Sequence, residues 1–338
     1  MIYPASPENI AKAAAIIRQG GIVAFPTETV YGLGANAGDE SAVRKIFSLK
    51  RRPAYNPLIV HLASLKELST VADISQHPKA AERVEKLKVF WPGPLSLILP
   101  KQPAVAPSVT AGLNSVAIRI PNHTTALQLI TAASVPIAAP SANLSSFLSP
   151  TTAQHVADEF PGLIEMILDG GPCQIGIEST VLSLLGDEVE ILRPGGVAQE
   201  QIASALGENV IWGGTKKTPG QNSASQPLSP GQSARHYAPR TKVQLLKDTL
   251  PSPLPPRVGL ISFSTRLPAQ LPIDFTMVSV LSKDGDLDEV AAGLFAALRQ
   301  LDKASLDLIL VDSCPAEGLG QAIMDRLLRA CQKEELST

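Results

Sequence analysis

Short apolar runs alternate with amphipathic stretches along the N-terminal part of the chain. GIVAF (21–25), PLIVHL (57–62), LSLIL (95–99), VAIRI (116–120), VPIAA (135–139), IEMIL (164–168), STVLSL (179–184) and VEILR (189–193) are runs of strand length. Bounded by turn residues, such runs predict β-strands. Between them, segments near 40–49, 64–73, 78–88, 124–133, 151–159 and 198–206 carry the spacing of helices. Another helix is predicted at the N-terminus, with Ser6 as N-cap and Pro7 at its first position. This mixture predicts an α/β or α+β unit ending near residue 210. The polar, Gly/Ser/Gln-rich stretch 213–240 reads as a spacer. After it come KVQLL, RVGLIS, a strand near 275–280, a helix near 286–301, LDLILVD and a final helix from about 317. That order predicts a small parallel-sheet, Rossmann-like unit.

Composition narrows the class. At 338 residues, 44% hydrophobic and 18% charged, the chain can bury two globular cores. A net charge of -2 provides no electrostatic footprint for sequence-independent nucleic-acid binding. Cys173, Cys314 and Cys331 are too widely spaced for a metal pattern or disulfide framework, which fits a reducing compartment. The N-terminus lacks the order of a signal peptide, and no apolar run reaches membrane-spanning length. A cytoplasmic location and no membrane partner are therefore expected.

The familiar nucleotide motifs are missing. No GxxxxGK[ST] occurs, and GLGANAG (32–38) is GxGxxxG rather than GxGxxG. Polar residues gather instead where the predicted strands end. PTETVYGLG (26–34) offers three hydroxyl residues and Glu28, which either line a pocket for a small polar molecule or satisfy the backbone of a turn. In KRRPAYNPLIVH (50–61), Lys50, Arg51 and Arg52 end a helix. Cations there complement the helix dipole, and they also suit phosphate, which arginine grips bidentately. Asn56 is placed to hydrogen-bond a base or phosphate, and His61 closes the following strand.

Arg119 sits inside the apolar strand SVAIRIP and needs a partner. That partner is an internal carboxylate, Glu28 or Glu178, or the carboxylate of a substrate. Within PIAAPSANLSSFLSPTTAQH (136–155), Ser149-Pro150 fits an N-cap followed by a first helical position, and a helix N-terminus also accepts phosphate. GIESTVLSL and LRPGGV add Glu178, Ser179, Thr180 and Arg193. No GxSxG frames Ser141 or Ser179, and Cys173 has no assignable base. The set therefore suits positioning and charge stabilisation around phosphate rather than a protein nucleophile. One cluster stands apart: Arg235, His236 and Tyr237 lie side by side between two prolines within the spacer.

Taken in order, PTETVYGLG, the K-x-R-PxxNPLIVH string, FWPGPLSLIL, SVAIRIP, APSANLS…SPTTAQHV, GIESTV and LRPGG resemble the YrdC-like family of threonylcarbamoyl-adenylate synthases over about residues 7–200. RHYAP, the C-terminal unit and GLGQAIMDRLLRA (318–330) resemble its longer, two-domain branch. The resemblance implies an α/β fold with an open, twisted, mixed catalytic sheet over 1–210, a linker over 211–240 folding back as a lid, and a Rossmann-like parallel-sheet domain over 241–338. It implies a synthase making threonylcarbamoyl-AMP and pyrophosphate from L-threonine, bicarbonate or CO2, and ATP, with Mg²⁺ on the phosphates. The product would pass to the machinery that modifies adenosine beside the tRNA anticodon, with at most weak tRNA binding by this chain.

By motif, Thr29, His61, Arg119, Ala139 and Ser179 would form the threonine pocket, with Arg119 meeting the carboxylate. Arg52, Asn56, Ser115, Ser141, Ser149, Arg193 and Tyr237 would bind ATP, with Lys50 and Arg52 stabilising charge. Lys50, Asn143, Arg235 and His236 are further candidates. The family commonly has a small residue, often Gly, where this chain has Arg51, which is expected to face solvent. A different class of function, a non-catalytic RNA-binding or ribosome-assembly factor of the same fold, would show salt-sensitive tRNA binding without ATP.

Overall fold

In the computed structural model the described residues are 1–213, 236–266 and 273–332. Their strands form two sheets. The larger has eleven strands, and its order from one edge is Ile2–Pro4, Met166–Asp169, Val23–Phe25, Gly32–Asn36, Ile137–Ala138, Ile59–His61, Ser115–Arg119, Leu95–Pro100, Thr180–Ser183, Val189–Arg193 and Val210–Trp212. It mixes parallel pairs, such as Ile59–His61 with Ser115–Arg119, and antiparallel ones, such as Leu95–Pro100 with Ser115–Arg119. The smaller is a four-stranded parallel sheet ordered Val243–Leu245, Leu308–Val311, Val258–Ser262, Met277–Val280.

Each apolar run singled out in the sequence contains a strand. Three strands escaped: the edge strands Ile2–Pro4 and Val210–Trp212, and Gly32–Asn36. The last is disguised by glycines that packing requires. A Cβ on Gly34 would lie 2.7 Å from both the Phe25 ring and the Ile137 side chain. The N-terminal helix spans Pro7–Arg18, with the Ser6 hydroxyl accepting from the Asn9 amide, as expected. Ser149-Pro150 does not open a helix. The amide of Tyr31 donates to the Pro150 carbonyl and that of Cys173 to the Thr151 carbonyl, which keeps this segment extended. The helix begins three residues later at Ala153–Glu159, capped by Thr152.

Strand alternation decides which side chains reach the site. His61 pairs in register with Arg119, and Ile59 with Ala117, all on one face. Ile59, Ala117, Ile98 and Val181 form a small apolar floor on that face, while Val60 and Ile118 enter the main core behind it. The two sheet units share a hydrophobic cluster in which Val30, Leu148, Ile177 and Tyr237 pack with residues of the smaller unit. Gly176 marks a close approach: a Cβ there would lie 2.5 Å from the backbone of Ala291 and Ala292 in the helix Leu287–Asp302.

Candidate active site

One cavity lies at the strand ends where the two units meet, with about 540 Å³ of empty space including its mouth. Its walls include Thr29, His61 and Arg119 at one end and Arg52, Glu178 and Arg193 at the other.

The first end is charge-balanced. Arg119 Nη2 lies 2.6 Å from Glu28 Oε1, off hydrogen-bond alignment; its Nη1 donates to Thr29 Oγ1 at 2.8 Å and its Nε to the Gly93 carbonyl at 3.1 Å. Burial, the largest influence, opposes ionisation of Glu28, yet Arg119 together with the backbone at Asn122 and Glu28 holds the carboxyl below the usual range. Thr27 ties the turn together, accepting from the amides of Thr29 and Val30 and donating to the Val30 carbonyl. Of the two readings open for PTETVYGLG, each hydroxyl takes a share: Thr27 satisfies the turn, and Thr29 meets Arg119. The His61 ring packs edge-on against Phe25, and its Nδ1 is buried with no hydrogen-bond partner. Burial first, then Arg119, pushes its pKa down to about 3, so the imidazole is neutral.

The other end is cationic. The Arg52 guanidinium is aimed by Asn56, whose carbonyl accepts from Nε at 2.9 Å and whose Oδ1 accepts from Nη2 at 2.6 Å, and by the Pro57 carbonyl at 2.7 Å. Arg193 donates to the carbonyl and hydroxyl of Ser179. An irregularity in strand register between Ile191 and Arg193 re-aims this side chain. The turn that follows fits only because Gly195 has no Cβ, which would lie 2.2 Å from the Ser179–Thr180 backbone. Burial, and then Arg193, push the Arg52 guanidinium down to about 9. Two buried cations that disfavour one another make an end suited to an anion.

His236 and Tyr237 close the cavity from the smaller unit's side. Both line it, and both are buried. The Tyr237 ring stacks on Phe295 at 5.5 Å, its φ is +59°, and its hydroxyl has no hydrogen-bond partner. Burial pushes the His236 imidazole down to about 3. The pair expected on a lid thus lines the cavity, while the Tyr237 ring also packs on the smaller unit. Arg235 lies outside the described residues.

The cavity brings together ten of the sequence candidates: Thr29, His61, Arg119, Ala139 and Ser179, with Arg52, Ser141, Arg193, His236 and Tyr237. Five others stand behind the wall. Lys50, expected to face phosphate, is fully buried and donates to the carbonyls of Ser141, at 2.6 Å, and Asn143, so its ammonium shapes the loop instead. Asn143 braces the same loop through the Leu144 and Phe147 carbonyls, and Asn56 acts through Arg52. Ser149, expected as a cap, donates to Glu178 Oε1 at 2.5 Å. Ser115 begins the strand that Arg119 ends, about 13 Å away at ~3.3 Å per residue. Arg51 is exposed in the left-handed conformation at φ +50°, a helix C-cap that favours glycine. Sequence reasoning assigned no role to Arg326, which reaches Glu178 from the far end of the chain. No local pattern announces a partnership 148 residues apart.

Two family models match the chain in succession. Residues 15–195 match the Sua5, YciO and YrdC model, described as telomere recombination, and residues 197–332 match the C-terminal domain of threonylcarbamoyl-AMP synthase. Among curated relatives, the threonylcarbamoyl-AMP synthase of Bacillus subtilis is 44% identical, covering 95% of this chain and 92% of its own. That of Pyrococcus abyssi is also 44% identical, covering 95% and 94%. A crystal structure of P. abyssi Sua5 complexed with L-threonine matches with a TM-score of 0.83 at 41% identity, covering 98% of this chain and 96% of that one.

Proposed function

The chain belongs to the Sua5/YciO/YrdC family, and we propose from that premise that it is an L-threonylcarbamoyladenylate synthase. The observation that carries this reading is that the cavity at the strand ends has one charge-balanced end and one cationic end. L-Threonine has no net charge as a zwitterion, and the balanced Arg119–Glu28 end suits it, with Arg119 turned to the carboxylate. A triphosphate suits the end formed by Arg52 and Arg193. The curated relatives' names favour the synthase over a non-catalytic RNA-binding factor.

The reaction needs no protein nucleophile. The threonine ammonium first gives a proton to solvent. The free amine then bonds to CO2, supplied as such or from bicarbonate with loss of water, and releases a second proton to give a carbamate. A carbamate oxygen then bonds to the α-phosphorus of ATP as the bond to the bridging oxygen breaks, and pyrophosphate leaves. Arg52 and Arg193 stabilise the charge that develops on the phosphates, worth roughly 10²–10³ in rate for a comparable donor. Asn56 and Ser179 hold these two guanidiniums in place, Lys50 and Asn143 shape the Ser141 loop, and the neutral His61 packs beside the threonine carbons. His236 and Tyr237 exclude water from a labile carbamate and mixed anhydride. We divide the chain accordingly into a catalytic part over 1–210, a linker over 211–240, of which 214–235 lie outside the described residues, and a smaller domain over 241–338.

Mg²⁺ fits this site as a companion of the nucleotide. Among the described residues no group of three metal-ligating side chains occurs; Glu178, which lines the cavity, and Glu28, which does not, are each paired with arginine. The metal would supply charge neutralisation on phosphate oxygens, held by them rather than by a protein cage. The product would pass to a tRNA-modifying transferase in the cytoplasm, and this chain's own hold on tRNA would be weak. No described helix is long and apolar enough to cross a membrane.

The test is pyrophosphate release from ATP with Mg²⁺ and bicarbonate, comparing L-threonine with L-serine and L-valine. Threonine-dependent release is expected. Release indifferent to the amino acid would contradict the proposal.

A further inference from the structure

The segment from Ser141 to Ser149 lies outside helix and strand, yet it meets the cavity at both ends. Ser141 lines the wall, and the Ser149 hydroxyl holds Glu178, which lines it too. Between them the chain turns through Ser146 at φ +71°, a conformation that a residue with a Cβ keeps only where its surroundings enforce it. The larger unit pins the first half. Lys50 donates to the Ser141 and Asn143 carbonyls, and Asn143 to those of Leu144 and Phe147.

The smaller unit pins the second half. Arg299 stands in the last turn of the helix Leu287–Asp302, with its side chain 10% exposed. Nη2 donates to the Leu148 carbonyl, Nε to that of Ser149 at 3.5 Å, and Nη1 to Glu159 Oε2 at 3.1 Å. The other oxygen of Glu159 accepts from the Leu144 amide at 3.1 Å. The Ala238 amide, next to Tyr237, adds a bond to the Ser146 carbonyl at 3.1 Å. Leu148 and Ser149 are buried without a ladder or helix to serve them, so their carbonyls need donors from elsewhere. A guanidinium suits this task, because its rigid fork serves several acceptors at once. Lys303, four residues further on, offers a contrast. It pairs with Asp158 across the same two units, but its bond leads to the helix Ala153–Glu159 rather than to the segment, and the lysine is exposed.

We infer that Arg299 is a positioning residue for the nucleotide: it fixes the second half of the Ser141–Ser149 segment onto the smaller unit and so holds Ser141 and the Ser149–Glu178 pair in the cavity wall. Docking of the smaller unit is thereby felt at the nucleotide end, with no atom of Arg299 on the substrate. The inference rests on the nucleotide assignment made above.

The test is equilibrium binding of ATP with Mg²⁺, and separately of L-threonine, to the full chain. Arg299→Gln is expected to weaken ATP binding about tenfold, the size of a modest coupling between sites. L-Threonine binding is expected to stay within about twofold of wild type, the margin for changes that do not interact. Arg299→Lys keeps the charge opposite Glu159 but lacks the fork for two adjacent carbonyls. It is expected to fold and to bind ATP about fivefold or more weakly, and it decides the matter if Arg299→Gln does not fold. Lys303→Gln removes only the exposed ion pair and should leave ATP affinity within about twofold of wild type. Wild-type ATP affinity in Arg299→Lys would overturn the inference. So would a loss in Lys303→Gln as large as in the Arg299 variants, or threonine and ATP binding weakened in parallel. A folded wild type that binds no ATP would remove the proposed function, and the inference with it.

Discussion

The two ends of the cavity are built from the same pair of residue types and reach opposite electrostatic results. At one end Arg119 and Glu28 face each other and leave no net charge. At the other, Glu178 is matched by Arg326 from outside the cavity, and Arg52 and Arg193 line the wall beside it. The two ends thus differ in how their carboxylates are partnered, not in the types of residue present. Each end carries a different vulnerability. The balanced end contributes to stability, because either member alone would be a buried unpaired charge. At the cationic end Arg193 disfavours the charge on Arg52, a repulsion that the proposed triphosphate would relieve.

The largest expected effect breaks the balanced end. Arg119→Met leaves Glu28 buried and unpaired, and should cost about 3–5 kcal/mol by chemical denaturation. Arg193→Met should be milder in stability, about 1–3 kcal/mol for the orphaned Ser179 carbonyl, because it also relieves Arg52. Its kcat/KM for ATP should fall roughly 10²–10³-fold in steady-state kinetics. Equal stability losses in the two variants would erase the distinction between the ends.

Tyr237 sharpens the comparison at the mouth. Because its ring is buried against Phe295, Tyr237→Ala confounds ligand binding with a packing loss of about 3–5 kcal/mol. Tyr237→Phe keeps the stack and removes a hydroxyl with no hydrogen-bond partner. It should change stability by less than about 1 kcal/mol while raising KM for ATP at least several-fold, roughly the loss of one charge-assisted bond. An unaltered KM would leave Tyr237 as packing alone.

A pH series separates the histidines. His61 and His236 both have pKa values lowered to about 3 in the folded chain, against ~6.5 when unfolded. Protons therefore bind the unfolded chain preferentially as pH falls. The neutral rings contribute stability that is present above about pH 6.5 and is lost progressively toward pH 3. Melting temperature should be flat from pH 7 to 8 and fall below pH 6.5, and His236→Gln should show a shallower fall. The smallest effect belongs to Arg51. Arg51→Gly relieves a left-handed C-cap and should add up to about 1 kcal/mol in a thermal melt, with kinetics unchanged.

These contrasts show what the residues disclosed and what folding had to add. Strand ends were readable because apolar runs stop at polar motifs, and ten candidate residues converge on one cavity. Asn56 and Arg52 are near neighbours in sequence, so their partnership was within reach. Gly32–Asn36 was not, because the glycines that make it fit between Phe25 and Ile137 also erase its strand signature. Ser149 looked like a cap because Ser-Pro often is one, and the long-range bonds that hold Pro150 and Thr151 extended outweighed that local preference. Lys50 could not be told from a phosphate ligand until the carbonyls of Ser141 and Asn143 appeared around it. Charge at the site depends on pairings such as Glu178–Arg326 that only the docked units create.

The most direct measurement supplies ¹³C-bicarbonate, L-threonine and ATP with Mg²⁺ to the purified chain and follows the nucleotide by mass spectrometry. The account predicts a labelled nucleotide heavier than AMP, formed with an equal amount of pyrophosphate, and no adduct on the protein. Unlabelled AMP, threonyl-AMP without the carbon label, or an AMP–protein adduct would contradict it.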